Sequence, residues 1–279
     1  MKVVVTGASG FVGNQVVKEL LKRGIETCAV ARRPVEFTNS LVVDSYLDTP
    51  EGDILIHLAE NSNREQVNKM GDDYAVEANT LTKALILKDF QRIVFASSVV
   101  VYGDKSQELC KPTDLVLAND IYSKSKLDCE LLIEKHNGVI ARMSNLYGIG
   151  MSADNVFSKI INQIPCTDQI EVWNDRPVRD FLWIDDAVNA LVEIALGEAK
   201  GVYNVASGHA VSINELVHMV LAASGFDKNC KLTVTKPIDE DSSIKLDISD
   251  TFNAFGWKPK MQLKDGVKQL LNYKKQLIK

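Results

Sequence analysis

Short apolar runs alternate along the chain with stretches whose apolar positions recur every three to four residues. Lys2–Thr6, Thr27–Ala31, Ser40–Val43, Asp53–Leu58, Arg92–Ala96 and Gly138–Arg142 read as strands. They are rich in β-branched residues and apolar on both faces, the pattern of strands buried in a sheet. Asn14–Arg23, which stops at Gly24, and Tyr74–Leu87 carry the helical period, as does Tyr122–Lys135 with Leu127, Leu131 and Leu132 on one side. Doubly buried strands alternating with helices predict an α/β fold, a parallel sheet with helices on its faces. Right-handed crossovers would make that sheet doubly wound.

The texture changes after Arg142. The region 143–181 is less regular, a helix is predicted over Ile184–Leu196, and a strand over Val202–Val205. Ser212 opens S-I-N-E, a capping-box pattern that predicts a further helix. Strand-like Lys231–Thr235 and a last helix near Lys264–Tyr273 complete the tail. The expected division is a sheet domain of residues 1–142 plus about 182–206, and a smaller, interleaved lobe of about 143–181 plus 207–279.

The first strand runs straight into Thr6-Gly7-Ala8-Ser9-Gly10-Phe11-Val12-Gly13, and a helix follows. Three glycines at this spacing, between strand and helix, suit a pyrophosphate. The backbone turns tightly without Cβ atoms, and free N–H groups of the helix terminus face the phosphates. The fold expected is therefore Rossmann-like, with Gly7, Ser9, Gly10, Phe11, Val12 and Gly13 as cofactor-binding candidates. An NAD site usually has Asp or Glu at the end of the second strand. Here Cys28-Ala-Val-Ala-Arg-Arg33 has no carboxylate and two arginines, and guanidinium suits a 2′-phosphate. Arg32, ahead of Arg33, thus favours NADP(H), with NAD(H) remaining open. Asp44, after the third strand, is a candidate adenine contact. Leu58 and Ala59, after the fourth, are candidates to flank the cofactor.

Composition narrows the partners. A net charge of −5 without a long basic run gives no electrostatic support for nucleic acid or anionic membrane. The acidic patch Asp239–Asp241 reads as a solvated loop. Apolar runs are too short for a signal peptide or membrane span. Five dispersed cysteines without metal-ligand spacing suit a reducing, cytoplasmic setting and predict no metal site.

The stretch Ile121-Tyr-Ser-Lys-Ser-Lys126 is ambiguous by itself. It could be the wet first turn of a surface helix. It also sets Tyr122 and Lys126 four residues apart on one helix face, where an ammonium would favour a phenolate. Ser98, predicted at the end of the fifth strand, would lie at the carboxyl edge of the sheet, where such folds bind ligands. At this point the chain resembles the extended short-chain dehydrogenases/reductases, the NAD(P)-dependent epimerase/dehydratase group acting mainly on nucleotide sugars. T-G-A-S-G-F-V-G (6–13), D-I-L-I-H-L-A (53–59), F-A-S-S-V-V-V-Y-G (95–103), Y-S-K-S-K (122–126), R-M-S-N-L-Y-G (142–148), R-D-F-L-W-I-D-D-A (179–187), Y-N-V-A-S-G (203–208) and F-G-W-K-P (255–259) fall in the family's order. The resemblance implies that Tyr122 is the general acid/base, that Lys126 tunes it and holds the nicotinamide ribose, and that Ser98 hydrogen-bonds the reacting oxygen. Ala96 joins the cofactor-binding set. Asn79 reads as structural and His57 as a core histidine.

Dehydratases of the family carry an acidic pair after the serine. Here Val99-Val100-Val101 follows Ser98 and cannot move a proton. Reduction of a 4-keto sugar and 4-epimerisation remain. NADPH would fit net reduction, which places the reductase slightly ahead. On the substrate side the resemblance points to Asn145 and to Arg179 as a phosphate contact, with an ion pair to Asp180 or Asp185 as the alternative. Relatives have a second arginine before the tail strand. The segment 241–247 offers only Lys245, and Arg176 is the candidate replacement. A small-carbonyl reductase and a catalytically silent, cofactor-binding regulator stay open. In this family the helices around the tyrosine often pair across a two-fold axis, so a homodimer is an expectation.

Overall fold

The computed structural model describes all 279 residues except 137, 167, 227–229, 237–241 and 278–279, and gives only the backbone at 105–107. The acidic patch at 239–241 lies outside the described residues. In chain order the elements are β1 (Lys2–Thr6), α1 (Phe11–Lys22), β2 (Glu26–Ala31), β3 (Ser40–Val42), β4 (Ile54–His57), α2 (Arg64–Met70), α3 (Asp72–Ile86), β5 (Arg92–Ser98), β6 (Lys105–Cys110), α4 (Ile121–Lys135), β7 (Val139–Met143), β8 (Asn145–Tyr147), α5 (Val156–Asn162), β9 (Gln169–Val172), β10 (Val178–Trp183), α6 (Ile184–Leu196), β11 (Gly201–Val205), β12 (Ala210–Ser212), α7 (Ile213–Ser224), β13 (Lys231–Val234), β14 (Ser243–Leu246), α8 (Ser249–Phe255) and α9 (Leu263–Leu277).

The main sheet has seven strands in the order β11-β7-β5-β4-β1-β2-β3. Every neighbouring pair in it is parallel. Strand order reverses between β1 and β4, and the carboxyl ends flanking that switch form the crevice where open α/β sheets bind ligands. Successive residues of one strand enter opposite cores. Val3 and Val5 pack with Val16, Val17 and Leu20 of α1 and with Ala190 and Leu191 of α6. Val4 packs on the other face with Ala78 and Leu85 of α3 and with Cys129 and Ile133 of α4. This two-sided burial is why the strands are apolar throughout instead of alternating.

A second sheet runs β12-β10-β14-β6, with β8 paired to β10, and β13 pairs with β9. Strand β6 was not anticipated from the sequence; it leaves the 1–142 stretch to pair in parallel with β14. In α4 the side turned inward consists of Tyr122, Ser123, Ser125, Lys126, Cys129, Glu130 and Ile133. The leucine side faces outward, and Leu131 is 48% exposed. Ser212 caps α7 through the reciprocal bonds of a capping box with Glu215, as its sequence pattern predicts. Asn79 donates to the Ala75 carbonyl one turn back, a structural role. Cys28, Cys110 and Cys129 are buried, whereas Cys166 and Cys230 are joined as a disulfide. At a sequence separation of 64, that pairing is invisible to linear spacing, and it weakens the inference from dispersed cysteines to a reducing compartment. No helix among the described residues is long and apolar enough to cross a membrane.

Candidate active site

The glycine turn forms the floor of the crevice. Gly7 has φ +71°, and a Cβ there would lie 2.6 Å from the Leu58 carbonyl oxygen at the end of β4. A Cβ on Gly13 would run into the Gly7 carbonyl, so both glycines are required by close backbone approach. Gly10 N–H donates to Gly7 O at 2.9 Å, and Gly10 is the N-cap of α1. No side chain caps that helix and its first turn holds no acidic residue, so its positive end is not neutralised internally. Ser9, Phe11 and Val12 lie half-buried in this turn. These residues fit the pyrophosphate of a dinucleotide.

Beside the turn lies a cleft of about 430 Å³, lined among others by Arg32, Asp44, Tyr46, Ala59, Glu60 and Tyr74. The structure thus brings Arg32, Asp44 and Ala59 together. Arg32 lies over the Tyr46 ring, 5.4 Å from its centroid. Arg33 is exposed next to it. The end of β2 and the loop after β3 therefore form one wall of this cleft.

Ser98 ends β5 at the carboxyl edge and accepts a long bond, 3.5 Å, from Val100 N–H. Val99 and Val101 after it are buried, leaving no acid there. Helix α4 starts at a capping box of Asp120 and Ser123. Burial pushes the Asp120 carboxyl up, but bonds from Ser123, Asn68 and Arg64 outweigh it and hold the group well below the usual carboxylate range. Asn68 of α2 clamps the helix start further by accepting from Tyr122 N–H at 3.0 Å. Tyr122 is thereby held in the first turn and is 7% exposed.

Lys126 is buried one turn later. Its Nζ donates to the Ala96 carbonyl at 2.8 Å and stands 6.0 Å from the Tyr122 ring centroid. It also forms an ion pair with Glu60 at 2.6 Å, with the two side chains only 8% and 5% exposed. Burial pulls the ammonium down, but the Glu60 carboxylate, with Tyr122 and Tyr74 behind it, more than offsets this, so Lys126 is held charged. Sequence reasoning missed Glu60. Its signal was its place just past the end of β4, next to Ala59.

His57 is buried and hydrogen-bonds Thr6 Oγ1 through Nδ1 at 2.8 Å, a core histidine as its apolar strand predicts. Burial is the main cause that lowers its pKa from 6.5 to about 4. The unfolded chain therefore binds a proton first as pH falls, so the stability is present above about pH 6.5 and is lost toward pH 4. That loss should reach roughly 3 kcal/mol. Denaturant unfolding of wild type and His57→Gln across that range checks it: the wild type should lose more, and equal slopes would remove His57 as the cause.

On the substrate side, Asn145 lies on β8 and donates to the Asp180 carbonyl at 3.1 Å. Arg176 is exposed in the loop before β10. Arg179 is not paired with Asp180 or Asp185, which corrects the ion-pair alternative. Asp180 accepts from Ser207 and His209, and Asp185 accepts from the Trp183 indole. Arg179 instead bonds Ser242 Oγ at 2.5 Å and lies 3.7 Å from Asp104. No cluster of His, Cys, Asp and Glu able to hold a metal occurs among the described residues.

Comparison with known proteins accords with this arrangement. Over 98% of both chains, the protein is 26% identical to a putative UDP-glucose 4-epimerase of Methanocaldococcus jannaschii. It is 25% identical to the dTDP-4-dehydro-6-deoxyglucose reductase of Escherichia coli, over 96% of each. Among solved structures, MoeE5 in complex with UDP-glucose and NAD superposes with a TM-score of 0.85 and 25% identity over all of both chains. The UDP-glucose 4-epimerase of Thermotoga maritima shares the fold, with a TM-score of 0.87 and 20% identity, over all of both chains. The sequence model of the NAD dependent epimerase/dehydratase family matches residues 3–206, from the first strand through β11. The chain belongs to the NAD dependent epimerase/dehydratase family, within the extended short-chain dehydrogenases/reductases.

Proposed function

We propose that the protein is a nucleotide-sugar 4-epimerase, acting on a UDP-hexose with NAD(H). The observation that carries this reading is the buried Tyr122–Lys126 pair at the carboxyl edge beside Ser98. The relatives and structures that the chain resembles include proteins named for UDP-glucose and NAD. In this reading residues 1–142 plus about 182–206 hold the cofactor, and the remainder holds the sugar nucleotide.

When bound, the nicotinamide supplies hydride acceptance and return at the sugar carbon. The chain's own residues do the rest. Gly7, Gly10 and Gly13 admit the pyrophosphate to the α1 terminus. Lys126 holds the nicotinamide ribose, with its charge maintained by Glu60. The Tyr122 phenolate takes the proton of the sugar hydroxyl as the carbon is oxidised, and the phenol returns it when the other face is reduced. Ser98 donates to the reacting oxygen and keeps it in line. Valines 99 to 101 cannot take a proton from a neighbouring carbon, which keeps water elimination out of the reaction.

A second reading is a 4-keto-sugar reductase using NADPH. It is favoured by Arg32 and Arg33, with no carboxylate between Cys28 and Arg33. The experiment is a panel of UDP-sugars and 4-keto sugar nucleotides, with product stereochemistry and cofactor consumption followed together. The epimerase reading expects an epimer with no net consumption. Stoichiometric NADPH consumption, with NADPH bound at least about tenfold tighter than NADH, would replace it by the reductase.

We also infer a homodimer. Helices α3 and α4 pack side by side, and Val76 and Leu131 on them are 66% and 48% exposed. A two-fold pairing of these helices would bury both.

A further inference from the structure

Two arginines from different parts of the chain converge on one carboxylate at the mouth of the site. Arg64 opens α2 on the cofactor side, and Arg179 lies on β10. Arg64 approaches Asp104 Oδ2 with Nη1 at 3.4 Å and Nη2 at 3.5 Å. Arg179 Nη2 lies 3.7 Å from Asp104 Oδ1, an oxygen that is buried and accepts no hydrogen bond among the described residues. Well-made guanidinium–carboxylate bonds are about 2.7–2.9 Å long. Asp104 is therefore strung between the two cations without closing properly on either. Of the two carboxylates that face these cations, only Asp120 bonds closely, and it serves Arg64 alone.

Each guanidinium is otherwise aimed by its neighbours. Arg64 Nε is fixed by Asp120 Oδ2 at 2.5 Å, and Arg179 by Ser242 Oγ at 2.5 Å and Ser242 O at 3.0 Å. What remains between them is a cradle wider than one carboxylate can close. The segment before β14 offers no second arginine there, only Lys245 on the strand itself.

We propose that Arg64 and Arg179 together form the diphosphate site for a nucleoside-diphosphate ligand, and that Asp104 occupies this site until the diphosphate displaces it. Arg64 then supplies the second cation. Asp104 contributes by keeping the cradle folded and by rejecting singly charged competitors. This rests on the reading of the substrate as a nucleotide-linked sugar.

The test is calorimetric titration of the full chain, loaded with NAD, with UDP, GDP, dTDP and UMP. Wild type should bind a nucleoside diphosphate. Arg64→Gln should weaken that binding by on the order of tenfold, the scale of one charge-assisted contact, with much less effect on UMP. Arg64→Lys, which keeps the charge, should recover most of it and guards against a mere folding defect. Asp104→Asn should tighten diphosphate binding severalfold. Undiminished diphosphate binding in Arg64→Gln, or weakened binding in Asp104→Asn, overturns the proposal even if Arg179→Gln is impaired. No binding of any nucleoside diphosphate by wild type would instead sink the nucleotide-sugar reading on which the proposal stands.

Discussion

Tyr122→Phe should cut turnover by on the order of a thousandfold, while cofactor binding and stability stay near wild type. The substitution removes one oxygen and leaves the ring in its buried place at the start of α4. The glycine turn and the cleft beside it lie elsewhere in the crevice and are not touched. The Asp120–Ser123 capping box and the Asn68 clamp use backbone and side-chain groups that the mutation keeps. Only the proton route is lost. Steady-state turnover, cofactor titration and a thermal melt on the same preparation separate the effects. Turnover within a few-fold of wild type would remove Tyr122 from the chemistry.

Lys126→Met has the second large effect, on stability as well as turnover. The mutation leaves the Glu60 carboxylate, whose side chain is 5% exposed, without its ammonium. Breaking one side of a buried ion pair costs about 3–5 kcal/mol, because the remaining charge stays out of water. Lys126→Met combined with Glu60→Gln should regain much of that stability while turnover stays low. Denaturant midpoints of the two singles and the double form the cycle. A double mutant as unstable as the sum of the singles would show that the pair is not coupled. The pair also bears on catalysis, since Glu60 cancels part of the field that Lys126 projects toward the phenol.

The main sheet was legible because its strands are buried on both faces and so are apolar without interruption. Helix α6 was equally plain, and the structure begins and ends it at Ile184 and Leu196 as read from the sequence. Strands β6, β8, β12 and β14 were not legible. Strands β8, β12 and β14 are short and partly exposed, and the partner of β6 lies far along the chain, so no local pattern marks them. The leucine side of α4 does not mark its inward face. Its inward face is polar, with Lys126 and Glu130 paired to Glu60 and Arg142, so the helix buries charge and exposes apolar surface. Within the site, Gly7 and Gly13 follow from spacing, and Ser98, Tyr122 and Lys126 from the family resemblance together with their places on strand and helix. Glu60, Arg64 and Asp104 do not, because each acts through a contact with a distant segment. The partners of Arg179 were missed for that reason as well: Asp104 lies on the loop after Tyr102 and Ser242 just before β14, neither adjacent to it in sequence.

The most direct test of hydride chemistry at this site uses UDP-glucose carrying deuterium at the sugar's C4, given to enzyme holding its own cofactor. The account predicts an epimeric product that keeps the label on the same carbon, with Tyr122→Phe forming none. Epimer whose label has washed out to solvent would contradict it, as would labelled epimer from Tyr122→Phe at the wild-type rate.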